Sequence, residues 1–493
     1  MEEHWPAPPM PNLQSLIFNP RFLYSLNDTM SSTLDRLRRL QGLREQKKRR
    51  DPDLPPRRSA PAGGKGGEAG RAPARLEETV AGRVIENQAG TCFVVERRYR
   101  LDEHRGPAAL GALLDYEPAL FAPIHPGFNL DRASDYLDAA FIDTETTGLG
   151  GGAGVYAFMV GVGVFEEVEE VGGDAESSIF NSQFPISNFV FTVRQFFMRS
   201  PAEEGAMLVA LADLLSGYGM TVTFNGRTFD LPLLRGRFQM NHWLFPGGMA
   251  DIGLLAPDRP HLDLLHPARK LWKRRLGSVR LINLEERILG LRREANDVPG
   301  HLIPRLYADF LRSGDAGRMG DIFYHNREDI VSMVSLAETL SHAFGRVPDP
   351  EQPPGARPLH GAEWVALGRV YEQLEEPAQA EAAYRLAMET TREAGPRADA
   401  FTRLGLLLKR QARWAEASEV WQQWLSSIPD CGIEPYVELS KMCEWRIKDL
   451  EQAEMWAAWA LHILRAQPVW EQDKVAIAEL EHRLARIRRK RVR

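Results

Sequence analysis

The stretch FIDTETTGLGGGAGVYAFMVG, from Phe141 to Gly161, decides the fold. It opens as an apolar strand that ends on Asp143 and Glu145. Residues two apart in a strand face the same way, so these two carboxylates project together. Side by side they repel unless a cation or a proton lies between them. Carboxylate oxygens are also the natural ligands of Mg²⁺ and Mn²⁺. The pair therefore reads as a metal site or, on the plainer view, as a strand end bearing two solvated acids. The glycines after Leu149 allow a tight turn and close backbone approach on the way to Val155 and Tyr156. They read equally well as a flexible turn between two strands.

Outward from this stretch, DAAFIDTE, VYAFMVGVGVF and NFVFTVRQFF follow one another as strands, which predicts an antiparallel part of a mixed sheet. SPAEEGAMLVALADLLSGY reads as a helix, with Ser200 as its cap, Pro201 at its first position and Glu203 at its third. TVTFNG is a fourth strand, and LPLLRGRFQMN begins a helix. HLDLLHPARKLWKRR gives a short fifth strand and then a basic amphipathic segment. DIFYHNREDIVSMVSLAETLSHAF closes the region as a long helix. Strands followed by strands alternating with helices give an α/β class, a mixed sheet flanked by helices.

Two further stretches carry acids. In TVTFNGRTFDLPLL, Asp230 follows a strand and an Asn-Gly turn, either as part of a site or as a helix cap. In YHNREDIVSMVSL, His325 and Asp329 lie four apart on one helix face, as a surface ion pair or at the packed edge of a sheet.

Taken together, these motifs resemble the DEDD exonucleases of the ribonuclease H-like superfamily. DTETTGL at Asp143–Leu149, N-G-x-x-F-D at Asn225, Gly226, Phe229 and Asp230, and a helical Asp329 with His325 match that family's three motifs. HLDLLHPARKLW, LGLRREANDVPG and IPRLY are similar to the YprB-like branch. The resemblance covers about residues 77–345. It implies a ribonuclease H-like fold and a 3′–5′ exonuclease that releases nucleoside 5′-monophosphates. It also implies two ions of Mg²⁺ or Mn²⁺ about 4 Å apart, held by Asp143, Glu145, Asp230 and Asp329. Asp143 would bridge both ions and His325 would take the attacking water's proton. The histidine class places His five before the last Asp, and the tyrosine class places Tyr four before it. Here Tyr324 is at five and His325 at four. His325 lies closer to the Asp329 side of the helix and is favoured as the base. The expected substrate contacts are Asn225, Tyr156 and the basic run Lys270, Trp272, Lys273 and Arg274, the last four either gripping a backbone or forming a charged helix face. Asp263 is a candidate accessory acid. The substrate is DNA or RNA, expected as single-stranded 3′ ends. The alternatives are a nuclease cutting internally at branches or flaps, and a non-catalytic interaction protein working through its repeats.

Those repeats follow a linker. Trp364, Leu367, Gly368 and Tyr371 spell W-x2-L-G-x2-Y, with Ala380, Tyr384 and Ala387 at the spacing of a tetratricopeptide second helix. Phe401, Leu404, Gly405, Leu408, Ala417, Trp421, Trp424 and Pro429 form a second unit. Tyr436, Leu439, Cys443, Ala453, Ala457 and Ala460 form a weaker third. An all-α, tetratricopeptide-like solenoid is expected, open to a protein partner.

The expected boundaries are 1–76, a largely disordered basic and Pro/Gly-rich region with a possible basic helix at Ser32–Arg50; 77–135, a leading β/α segment; 136–345, the nuclease domain; 346–359, a linker; 360–470, the repeats; and 471–493, a basic helix and tail. The tail either holds nucleic acid or is a solvated end. The chain has 493 residues, 44% hydrophobic and 26% charged, with a formal charge of −6. That suits two or three globular domains and excludes a general polycation. Three cysteines without a CxxC fit a reducing cytoplasm and argue against a thiolate zinc site. Neither a signal peptide nor a membrane span is expected.

Overall fold

In a computed structural model the chain is described at residues 73–148, 154–168, 188–245, 247, 253–349, 357–428, 431–468 and 470–492. The basic segment Ser32–Arg50, Gly150–Gly152, residues 350–356 of the linker and Pro429 lie outside the described residues.

A helical turn, α1 (Leu76–Thr79), leads into a seven-stranded sheet. Its strands are β1 (Arg83–Asn87), β2 (Gly90–Arg100), β5 (Ala139–Thr146), β6 (Ala157–Glu167), β7 (Phe189–Phe197), β8 (Met220–Thr223) and β9 (His261–Asp263). β3 (His104–Arg105) and β4 (Ala108–Ala109) form a separate small ladder. The sheet order is β1-β2-β7-β6-β5-β8-β9. The pairs β1–β2, β2–β7, β7–β6 and β6–β5 are antiparallel, whereas β5–β8 and β8–β9 are parallel. The mixed sheet flanked by helices is the architecture the strand succession predicts, and the leading hairpin β1–β2 extends it at one edge. The strand bearing Asp143 pairs antiparallel with β6 on one side and parallel with β8 on the other.

Alternation along β5 separates two cores. Phe141 packs edge-on against Phe165 and Phe191, while Ile142 faces the opposite layer with Phe158 and Val160. The helices α2 (Glu204–Leu215), α3 (Asp230–Met240) and α6 (Ile303–Ser313) cover the Ile142 side. The long helix α7 (Met319–Phe344) contributes Ile330, Val334 and Leu340 to the Phe141 side. Two glycines of β6 let α7 come so close. A Cβ at Gly161 would collide with Asn326 and Ile330, and one at Gly163 with Phe191 and Ile330. Gly161 pairs with Asp143 across the sheet, so the close crossing sits beside the acid.

The helix after Ser200 starts differently from the sequence expectation. Pro201–Glu203 form a 3-10 turn and the Ser200 side chain makes no capping bond. Instead the Glu203 carboxylate accepts from the Arg199 backbone N–H at 2.7 Å.

The remaining helices are α4 (Leu265–Leu276), the turn α5 (Leu281–Leu284), and α8 (Gly361–Gln373), α9 (Pro377–Thr390), α10 (Ala394–Arg410), α11 (Trp414–Ser427), α12 (Glu434–Met442), α13 (Leu450–Ala466) and α14 (Lys474–Arg491). From α8 onward they stack in pairs consistent with tetratricopeptide packing. A Cβ at Gly368 would strike the Tyr384 ring, and one at Gly405 would strike Trp421 at 2.5 Å. The same small–large contact thus brings the two helices together in both units. The solenoid also sits on the α/β layer. Trp272 on α4 is buried and its indole N–H donates to Glu363 Oε1 at 2.7 Å, which Arg275 also reaches at 2.8 Å. One continuous core runs from Phe141 through Trp272 to Trp364 and Trp421. The final helix docks on the third unit: Arg486 and Lys490 pair with the buried Glu444, and Arg488 and Arg491 with Glu454. Much of the tail's charge is therefore neutralised within the chain. Among the described residues no helix is long and apolar enough to cross a membrane.

Candidate active site

Asp143 and Glu145 leave β5 toward α7. Asn326 of α7 is fully buried, and its side-chain N–H donates to Asp143 Oδ2 at 2.8 Å. Gln195 of β7 in turn donates to Asn326 Oδ1 at 2.9 Å and to the Phe323 carbonyl at 2.8 Å. Buried amides with every bond satisfied hold one geometry, so this relay fixes where Asp143 points. Asp230 opens α3 but turns to the strand. Its Oδ1 accepts from the Thr144 backbone N–H at 3.1 Å and from the Thr144 hydroxyl at 2.5 Å.

Asp143 and Glu145 feel the charge of Asp230 and Asp329. Burial, then Asp329, Asp230 and Glu145, push the Asp143 carboxyl well above its ordinary range. Burial, then Asp329 and Asp230, do the same to Glu145. Burial lifts Asp230 to about 6 against the pull of its bonds to Thr144. Such a cluster is costly without a counter-charge.

A stability prediction follows from the sign of these shifts. In the folded chain the raised groups keep protons that the unfolded chain has already released. Stability from this source is present below the ordinary carboxylate value and is lost as pH rises, for Asp230 between 3.8 and about 6. For Asp230 alone that amounts to ~3 kcal/mol. In EDTA the protein should therefore melt higher at pH 5.5 than at pH 7.5, as judged by calorimetry. Asp230→Asn should flatten that slope; an equal slope in the variant would contradict the shift.

The fourth acid has its own cation. Arg293, in the loop before α6, pairs with Asp329 and with Glu285, the latter through two bonds of 2.6 and 2.7 Å. Burial disfavours its charge, but Asp329 and Glu285 outweigh that and hold the guanidinium above its ordinary pKa. His325 places Nε2 3.7 Å from Asp329 Oδ2 and Nδ1 2.7 Å from Asp297 Oδ1. The Tyr324 hydroxyl instead accepts from the Glu294 backbone N–H at 2.9 Å. Of the two neighbours, His325 is the one beside Asp329.

The expected substrate residues are scattered. Tyr156 immediately precedes β6, its carbonyl accepting from the Thr147 N–H beyond β5 at 2.9 Å, with the Arg237 guanidinium 4.1 Å from its ring centre. Asn225 has a left-handed backbone (φ 69) that its N–H···Asp263 bond of 2.7 Å secures. Asp263, considered as an accessory acid, accepts from the backbone N–H groups of Asn225, Arg227 and Leu265 and is the hub of that turn. The basic run departs from the expectation at Trp272. Trp272 is enclosed beneath α8 and has no open face for a base. Lys270 bonds to Gln373 at 3.0 Å, Lys273 to the Gly277 carbonyl, and Arg274 reaches Asp399 at 3.5 Å. An amphipathic basic helix has the same pattern whether its apolar face meets a base or a second domain. An exposed ring does stand next to the acids: Phe229, adjacent to Asp230, is 59% exposed. Arg293, Asp297, Asn326 and Gln195 were not singled out from the sequence. The spacing G-V-G in a buried strand was the available signal that a helix crosses there.

A family model described as the RNase_H superfamily matches residues 140–341, which contain all four acids and His325. Residues 140–341 thus carry a ribonuclease H-like domain, consistent with hydrolysis of nucleic acid. The chain is homologous to the Bacillus subtilis (strain 168) protein named Uncharacterized protein YprB, with 29% identity over 353 residues, 71% of this chain and 74% of that protein.

The ribonuclease H-like fold is consistent with divalent-metal use. The donor chemistry fits a hard cation, being carboxylate oxygen whose pKa is raised by burial and by mutual repulsion. Among the described residues no three His, Cys, Asp or Glu side chains are arranged as a ligand set. Asp143 is turned to Asn326, Asp230 to Thr144 and Asp329 to Arg293.

Proposed function

We propose that this chain is a 3′–5′ exonuclease that hydrolyses phosphodiester bonds of single-stranded nucleic acid with two Mg²⁺ or Mn²⁺ ions. The observation that carries this reading is the mutual charge repulsion of Asp143, Glu145 and Asp230, with Asp329 and His325 beside them, inside a ribonuclease H-like domain. Asp143, Glu145, Asp230 and Asp329 would hold the ions. Bound ions supply positive charge that lowers the pKa of water and offsets the charge developing on the leaving 3′ oxygen.

The protein's own groups do the rest. Asn326 and Thr144 keep Asp143 and Asp230 from swinging out of place, which spares reorganisation during the reaction. His325 receives the attacking water's proton at Nε2, the nitrogen that faces Asp329. Tyr156, just before β6, and Asn225, just after β8, flank the site, and Phe229 offers a ring on which a terminal base stacks. Lys273 and Arg274, at the exposed end of α4, meet the strand farther out. The repeats offer a surface for a protein partner.

The test uses the full chain with Mn²⁺ and strands labelled at either end. A 3′ label should appear first as a mononucleotide. Internal fragments would instead support a nuclease acting at branches or flaps. No cleavage of single-stranded or branched DNA or RNA would leave the repeats as the working part of an interaction protein. In the same assay His325→Ala should slow the single-turnover step by about 10²–10⁴-fold, and Tyr324→Phe by far less. A larger loss from Tyr324→Phe would transfer the proton to the tyrosine.

A further inference from the structure

His325 has two ring nitrogens, and a base must present the unprotonated one to water. The choice is made by whatever the other nitrogen bonds to. Here that partner is Asp297, in the loop between the π-helical turn Glu285–Leu289 and α6. Its Oδ1 lies 2.7 Å from His325 Nδ1, and both side chains are largely buried, at 12% and 14% exposure. A carboxylate can only accept, so Nδ1 carries the proton and Nε2 of the neutral ring is the free base. Arg293 Nη1 also lies 3.2 Å from Nδ1, but a guanidinium only donates, and the shorter carboxylate contact governs the tautomer.

Two more features support this assignment. Arg293 Nη1 is 3.5 Å from Asp297 Oδ2, and Arg293 is itself anchored by its two bonds to Glu285, which is 2% exposed. Glu285, Arg293 and Asp297 therefore form a braced chain behind the imidazole. On the other side Gly300 lies beside Nε2, where even a Cβ would stand 3.8 Å away in ordinary contact, so that nitrogen is not crowded.

We propose that Asp297 is the positioning residue of this site: it fixes His325 in the Nδ1-protonated tautomer with Nε2 toward Asp329, and Arg293 with Glu285 holds Asp297 in place. The proposal rests on the reading of His325 as the proton acceptor, and one of its readouts is independent of catalysis.

The experiment labels histidines of the full-length protein with ¹⁵N and assigns His325 by its loss in His325→Gln. In the wild type the Nδ1 signal should be that of a protonated nitrogen and the Nε2 signal that of an unprotonated one. Asp297→Asn, whose amide can either accept or donate, should mix the two tautomers, and Asp297→Glu should restore the wild-type form. The single-turnover rate with Mn²⁺ should fall about 10–100-fold in Asp297→Asn. KM and calorimetric Mn²⁺ affinity should stay unchanged. An Nε2-protonated His325 in the wild type overturns the proposal, as does an unaltered tautomer in Asp297→Asn. A rate loss that comes entirely through KM or Mn²⁺ affinity overturns it too. If the wild type cleaves no strand, the nuclease reading falls while the tautomer measurement still decides what Asp297 does.

Discussion

Asp143→Asn should abolish hydrolysis and yet raise the melting temperature of the metal-free protein. The carboxyl it removes is the one most hemmed in, by burial and by Asp329, Asp230 and Glu145. An amide of the same shape keeps a bond to Asn326 by offering its oxygen to the donating Nδ2. It also removes one charge from a crowded site, and replacing an unpaired buried charge by a neutral isostere is stabilising. The same change deletes the central ligand of the proposed ion pair. A rate loss on the order of a thousandfold, about 4 kcal/mol of transition-state stabilisation, is expected. Single-turnover assays and calorimetry in EDTA read both effects. A variant that cleaves at the wild-type rate would remove Asp143 from the mechanism. One that melts lower in EDTA would show that the carboxylate has a partner which offsets its burial.

Removing the repeats should be at least as disruptive, through stability. Read from the sequence, a chain ending near Pro348 folds and cleaves short strands on its own, because the repeats carry none of the acids. The structure points the other way. Truncation there uncovers Trp272 and strips Glu338, which is 2% exposed, of the two bonds of 2.6 and 3.0 Å from Arg357. Breaking a buried ion pair costs about 3–5 kcal/mol, and re-exposing a large apolar side chain about 2–3 kcal/mol. Together they rival the ~5–15 kcal/mol that holds a typical domain folded. The shortened chain should precipitate or melt well below the full-length protein. If it stays folded and matches the full chain on short oligonucleotides, the α4–α8 contact is dispensable and the repeats are an independent module. If it is folded but inactive on short strands, part of the substrate groove lies on the repeats.

What depends on local period and spacing was legible in the letters. Asp143 and Glu145 share a face because strand side chains alternate. His325 and Asp329 share one because a helix turns every 3.6 residues. The W-x2-L-G-x2-Y signature reports two helices in close contact, and Gly368 against Tyr384 is that contact. Tertiary structure alone decided how these pieces are held. Asp143 and Asn326 are 183 residues apart, Asp329 and Arg293 are 36, and Trp272 and Glu363 are 91. No periodicity links such positions, because the partner is chosen by which elements the sheet order and the α7 crossing bring together. The charge of α4 and of the final helix was visible in the letters, but its use was not. A lysine or arginine has the same sequence appearance whether it meets phosphate, water, or a carboxylate such as Glu363 or Glu444 that only folding brings within reach.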